Sequence, residues 1–173
     1  MQALAYWKAV TADKVGFLDR VIALLAESGV RYCVIGGQAV NAFVEPVVSL
    51  DLDLGVATAD VRSAEDLLAK HFRVERFPHS VTVSMPGSDL RVLLQTDPRY
   101  GAFVGSASER NVLGLRLPVA KLQDVLQGKV WAAQDPARRP SKRQKDLADI
   151  SRLLEAHPEL RSRVPDDILS RLI

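Results

Sequence analysis

The stretch that decides the fold is Val34-Ile35-Gly36-Gly37, followed after thirteen residues by Asp51-Leu52-Asp53-Leu54. In an extended strand successive side chains point to opposite faces, so Leu50, Leu52 and Leu54 share one face while Ser49, Asp51 and Asp53 share the other. The leucines suit a core, which leaves the two carboxylates converging on a cleft. Like charges about 6–7 Å apart along a strand repel, and a divalent cation with hard oxygen ligands is the simplest relief. Gly36 and Gly37 open a short helix expected over 38–44 and ended by Pro46. Without a Cβ, such a turn lets an anion reach the free amides of the helix start, and phosphate is the natural guest. A strand, glycine, helix turn alone is common in α/β proteins, so its weight comes from the coupling to Asp51 and Asp53. With Val47, Val48 and Val56 flanking it, the strand over 49–57 is expected to be central.

Upstream, Asp13 can cap a helix over 14–28, whose Phe17, Leu18, Val21, Ile22, Leu24 and Leu25 form a wide apolar face before Gly29 stops it. A buried strand over 31–35 follows. Downstream, Thr58 can cap a helix over 59–71, and 72–77 and 80–85 alternate as strands. Met85-Pro86-Gly87-Ser88 has the proline and glycine of a type II turn, so 90–96 returns as the second arm of a hairpin. The segment 97–111 reads as a loop entered through Asp97-Pro98-Arg99-Tyr100, for which a plain turn is the favoured reading and Arg99 and Tyr100 holding a base or an acceptor the alternative. A short extended piece continues to 117. Helices are expected over 119–134, 142–156 and 166–172, with a proline- and arginine-rich connection over 135–140. The pattern predicts an α/β (α+β) class: a mixed, largely antiparallel sheet flanked by helices, with a helical C-terminal third. One domain over 1–173 is expected, its core at about 22–117 and its C-terminal helices at about 119–172.

Bulk properties exclude several classes. Hydrophobic residues make up 47% of the 173 and charged ones 25%, values of an ordinary globular chain that argue against long disorder. A net charge of +2 is too small to imply a polyanionic partner by itself. The lone Cys33 lies in the apolar run Tyr32-Cys33-Val34-Ile35 and is expected to be a buried small hydrophobe. Residues 1–13 lack the pattern of a secretory leader, and no apolar run reaches about 18 residues, so a cytoplasmic protein without a membrane span is expected. His71, His79 and His157 show no metal-ligand spacing.

Helical angles add an independent signal. At about 100° per residue, Leu122, Val125, Leu126, Val130 and Ala133 set an apolar arc that contains Lys129. A lysine there either snorkels past the rim or reaches into a cleft. In the next helix Leu147, Ile150, Leu153 and Leu154 define an arc that contains Arg143 and Asp146 but not Lys142 or Lys145. Two readings compete: a buried Arg143–Asp146 pair fastening the helices, or a cationic wall of Lys129 and Arg143 facing an anionic ligand, with Asp146 orienting one of them. Trp131 falls opposite its helix's arc. The run Lys129, Arg138, Arg139, Lys142, Arg143 and Lys145 faces only Asp135 in the same stretch, and is either an RNA-touching patch or a solvated loop.

Together these residues resemble the nucleotidyltransferase superfold shared with polymerase β, whose signature is a hydrophobic residue, Gly-Gly or Gly-Ser, nine to thirteen residues, then Asp-hydrophobic-Asp-hydrophobic. Ile35-Gly36-Gly37 and Asp51-Leu52-Asp53-Leu54 match it at the upper spacing. Within that superfold the chain is most similar to the AbiEii-like group, in which a lysine-bearing helix precedes a basic turn and a Lys-Asp-x-x-Asp helix, here Lys129 and then Arg143 to Asp149. The resemblance covers roughly 22–154. It implies transfer of a nucleoside monophosphate from a nucleoside triphosphate (NTP) to an acceptor: a transfer RNA end, a protein hydroxyl or a small molecule. Asp51 and Asp53 would bind Mg2+ and act in catalysis with Lys129. Gly36, Gly37, Gln38, Lys129, Arg143 and Asp146 would bind the nucleotide. Several members belong to toxin–antitoxin pairs.

The chain departs from the family in two places: the basic residue often found just before the Asp-x-Asp strand is missing, with Ser49 beside the motif, and so is an acid further on. A third carboxylate is often found on the strand represented by 90–95, where the inward positions hold Arg91, Leu93 and Gln95, while Asp89 lies at the turn. A second metal then lacks its ligand and the attacking hydroxyl lacks an evident base. The alternative is a catalytically impaired member that still binds a nucleotide, a protein or an RNA.

Overall fold

The computed structural model describes residue 13 and residues 16–172. The expectation of no leader pattern falls on 1–12, which lie outside the described residues, as do 14 and 15 of the first expected helix. The elements, in chain order, are α1 (Phe17–Ser28), β1 (Tyr32–Ile35), α2 (Gly36–Asn41), β2 (Asp51–Val56), α3 (Val61–Ala69), β3 (Arg73–Phe77), β4 (Ser80–Ser84) and β5 (Arg91–Gln95). They continue with α4 (Pro98–Gly101), β6 (Ser108–Val112), β7 (Leu115–Val119), α5 (Leu122–Gln134), α6 (Pro140–Ala156) and α7 (Asp166–Leu169). Seven strands form one mixed sheet in the order β3-β4-β5-β2-β1-β7-β6. β1 with β7 and β2 with β5 pair in parallel, and the other neighbours are antiparallel. This is the mixed, largely antiparallel, helix-flanked sheet that the residue pattern predicts.

β2 is central, between β1 and β5, because Leu52 and Leu54 are fully buried while the intervening aspartates lie on the other face. The strand starts later than expected. Leu50 is 40% exposed, and Val47 and Val48 lie in an exposed connection instead of flanking the core. That connection is held by side chains: Asn41 Nδ2 donates to Val47 O at 2.7 Å, and Arg152 Nη2 donates to Glu45 O at 2.7 Å. Gln38, buried on α2, donates from Nε2 to Ser49 O at 3.1 Å.

α1 begins at Phe17 because the Asp13 carboxylate accepts from the amides of Phe17 (2.8 Å) and Leu18 (3.2 Å), and it ends at Gly29 in the left-handed region. Phe17, Val21 and Leu25 are fully buried, as are Ala64 and Leu68 of α3, and Phe17 meets Phe72 edge-on at 5.1 Å. The β4–β5 connection closes as expected: Ser88 N donates to Met85 O, and Gly87 takes φ 91°.

The segment expected as loop and short extension is instead α4 followed by the hairpin β6–β7, with Val112 opposite Leu115. Its two-residue turn, Leu113-Gly114, has φ 53° and 82°. Positive φ at both central positions marks a type I′ turn, usually written Asn-Gly or Asp-Gly. Leucine occupies the strained position here because its side chain is buried in the core, a tertiary gain that local turn chemistry does not show. β7 then pairs with β1 and carries the chain to α5.

Replacing Asp13 with alanine is expected to destabilise the fold by about 1–2 kcal/mol, and asparagine, which keeps an acceptor oxygen, should lose less, as read from denaturant midpoints at unchanged m-value.

Candidate active site

A cleft of about 880 Å³ opens along the Asp51 and Asp53 face of β2 and is closed on the far side by α5, the connection 135–139 and the start of α6. Asp53 lies opposite Ile35 on one side and Leu93 on the other, and Leu93 lies opposite Thr82. The floor therefore runs from carboxylates to an apolar and hydroxyl-bearing surface, and the position of a third carboxylate is filled by Leu93. Asp89 is exposed and does not line the cleft.

Gly36 carries φ 68°, and a Cβ built on it would lie 2.3 Å from Asp53 Oδ2. The glycine is thus required by the carboxylate beside it as well as by its backbone angle. Asp53 Oδ1 is buried with no hydrogen-bond partner among the described residues. Burial pushes its pKa up to about 6; Asp51 adds to the rise, while Lys129, Arg138 and Lys142 oppose it. Asp51 is more open, 2.8 Å from Arg91 Nη2 and 3.6 Å from Lys142 Nζ.

Lys129 neither snorkels nor stands free. Only 7% exposed, it lies 3.1 Å from Asp146 Oδ1 and 2.8 Å from Asp149 Oδ2 while still lining the cleft. The Asp149 contact pairs charge without the alignment of a hydrogen bond. Burial pulls the Lys129 pKa down, but Asp149, Asp146 and Asp53 outweigh it and the net shift is upward. Asp146 is shared with Arg138, whose Nε donates to Oδ2 at 2.7 Å. Asp149 is shared with Arg152 at 2.8 Å, and Arg152 reaches Asn41 Oδ1 at 3.0 Å.

Of the residues singled out in the sequence, Gly36, Asp51, Asp53, Lys129 and Asp146 meet at the cleft. Gly37, Gln38 and Arg143 do not line it. Gln38 braces the connection before β2, and Arg143 Nη2 donates to the carbonyls of Asp135 (2.8 Å) and Arg138 (3.2 Å), fastening the turn after α5. The expected Arg143–Asp146 pair is replaced by Arg138–Asp146. Arg138 and Lys142 supply the cationic wall that the helical angles assigned to Arg143, because Arg138 lies on the turn, where no periodicity places it, and Lys142 in the first turn of α6 reaches back to Asp51. The far end of the cleft is aromatic: Trp131 stacks on Phe103 at 5.6 Å with planes 6° apart, and Arg99 covers it at 4.5 Å.

Among the described residues no group of three or more His, Cys, Asp or Glu side chains is arranged to hold a metal ion. Mg2+ commonly takes one or two carboxylates and completes its shell with water and substrate phosphate. The orphaned Asp53 oxygen and the neighbouring Asp51 carboxylate fit one such ion, and Leu93 leaves no ligand for a second.

No family model matches the chain, and no curated protein matches it in sequence. Solved structures do match in shape. The antibiotic-resistance factor ANT(2'')-Ia, in solution, superimposes with a TM-score of 0.56 at 17% identity, covering 87% of this chain and 92% of that one. A nucleotidyltransferase-like protein from Paracoccidioides brasiliensis gives 0.53 at 20% identity over 94% and 95%. The lincosamide antibiotic adenylyltransferase LnuA, with lincomycin bound, gives 0.51 at 13% identity over 79% and 95%. The chain has the nucleotidyltransferase fold. No helix among the described residues is long and apolar enough to cross a membrane.

Two stability measurements test this geometry. Lys129→Met should destabilise the fold by about 1–3 kcal/mol at neutral pH, because it leaves two buried carboxylates with one cation each, Arg138 and Arg152. Asp53→Asn should act in the opposite direction. The folded carboxyl, with a pKa of about 6, holds its proton over a range where the unfolded one has lost it. The wild type therefore loses stability as pH rises from about 4 through 6, by roughly 2–3 kcal/mol. Denaturant titrations in chelator should show the asparagine variant ahead by that amount at pH 7.5 and level with wild type below about pH 4.

Proposed function

We propose that this chain is a nucleotidyltransferase that moves a nucleoside monophosphate from a nucleoside triphosphate to a small hydroxyl-bearing acceptor. The observation that carries the reading is the pairing of Asp51 and Asp53 on one strand face of the cleft, with an unpartnered Asp53 oxygen opposite a wall of Lys129, Arg138 and Lys142. When bound, a Mg2+ ion held by Asp51 and Asp53 supplies electrophilic polarisation and charge neutralisation at the phosphates. The protein's own part is positioning and electrostatics. The acceptor hydroxyl gives its proton to water as its oxygen bonds to the α-phosphorus and the bond to pyrophosphate breaks in line, and Lys129 and Arg138 offset the charge on the leaving group. Asp146 and Asp149 keep Lys129 aimed and charged. Gly36 keeps the space that Asp53 occupies, so its role in the site is to seat a carboxylate.

A cleft of this volume matches a small-molecule site. The similar structures include ANT(2'')-Ia with adenylyl-2''-tobramycin and LnuA with lincomycin, which supports a small-molecule acceptor over a transfer RNA end or a protein hydroxyl. The basic run supports an RNA partner less well, because Arg143 is spent on backbone carbonyls and Arg138, Arg139 and Lys142 line the cleft. An AbiEii-like origin, a toxin–antitoxin partner and a cytoplasmic site stay part of the proposal, resting on Lys129, the Arg143 to Asp149 segment and the sequence pattern. A second reading, a nucleotide binder without turnover, is favoured by Leu93 at the third acidic position.

The double variant Asp51→Asn, Asp53→Asn should fold and lose Mg2+-dependent nucleoside triphosphate binding by calorimetry; undiminished binding would remove the site assignment. Release of pyrophosphate with a hydroxyl acceptor separates the enzyme from the binder.

A further inference from the structure

We infer that the Tyr100 hydroxyl is a nucleotide-contacting group that donates a hydrogen bond to a phosphate oxygen of the bound triphosphate. This rests on the proposed function and adds a residue to its site. Tyr100 lies in α4, a single turn started by Asp97, whose carboxylate accepts from the Arg99 amide at 3.0 Å. The turn is seated on β2 through glycines. A Cβ at Gly55, two residues beyond Asp53 on the same strand face, would lie 3.0 Å from Tyr100 O, and one at Gly101 would lie 2.8 Å from Val56 O. On the opposite side, a Cβ at Gly128, next to Lys129, would lie 3.2 Å from Tyr100 Cε1. The ring is also held edge-on by Phe103 at 5.8 Å and Trp131 at 5.6 Å.

The ring is therefore wedged between the carboxylate strand and the lysine helix, and it lines the cleft. Its hydroxyl makes no hydrogen bond to the described residues. Asp53 and Arg138 are near enough to act on it electrostatically, and burial pushes its pKa up to about 12, so it stays a neutral donor at working pH. The ring is fixed, its O–H lines the cleft within electrostatic reach of Asp53 and Arg138, and it has no protein acceptor among the described residues, so it is placed to donate to an oxygen of a ligand bound there. The aromatic contacts need only the ring.

Tyr100→Phe keeps those contacts and removes only the donor, so its thermal midpoint should match wild type. Calorimetry with Mg2+ and ATP, and separately with Mg2+ and inorganic tripolyphosphate, should show affinity weakened about five- to twentyfold for both. Loss for ATP alone would place the hydroxyl on the nucleoside and overturn the phosphate assignment. Unchanged affinity for both, with Asp51→Asn, Asp53→Asn abolishing binding, would overturn the inference and leave the proposed function standing. Failure of wild type to bind either ligand would overturn the proposed function and the inference with it.

Discussion

The arrangement depends on a lysine sealed between two buried aspartates. Taking Lys129, Asp146 and Asp149 out of water costs several kcal/mol per ion, and mutual attraction offsets this only when every charge is paired. Here each carboxylate is shared with a second cation, Arg138 or Arg152. Arg152 continues to Asn41 and the Glu45 carbonyl, so the ionic chain runs from α5 through α6 to the connection that feeds β2. Apolar residues of similar volume would pack those helices at lower cost. What they would not provide is a fixed cation within electrostatic reach of Asp53.

Asp53 is the counterpart of that cost. A buried carboxylate with one unpartnered oxygen, pushed up in pKa and pressed against a glycine that admits no side chain, is a local conflict inside an otherwise consistent sheet. Leu52 and Leu54 hold it there, because their burial fixes the strand's register and moving the strand by one residue would put both leucines in the cleft. Under the proposed function, a cation meeting that oxygen would recover the stability given up at Asp53, the usual exchange at a site organised before its ligand arrives.

The basic connection has a divided fate. Arg143 became a clamp on backbone carbonyls, Arg138 a partner of Asp146, and Arg139 and Lys142 part of the cleft wall. A run that looks like one patch in the chain is dispersed by a turn that points successive guanidinium groups in different directions. The same turn brings α6 back across α5, so that Lys142 reaches Asp51 from an element far from it in the chain.

Local rules carried the sequence a long way: the two-residue period of β2, the proline and glycine of the β4–β5 turn and the apolar arc around Lys129 are each set by nearest neighbours along the backbone. They made the mixed sheet, the carboxylate pair and the buried lysine legible before any coordinates. Tertiary structure decided the rest. Leu113 accepts a left-handed backbone because the core takes its side chain, so the β6–β7 hairpin carries no local turn signature. Gly36 answers to Asp53 across the sheet, and Tyr100 is fixed by glycines on two other elements. Arginine and lysine side chains are long and flexible, and they choose among acids distant in sequence. Helical angle tells which face of a helix they leave from, and only the packed fold determines where they end.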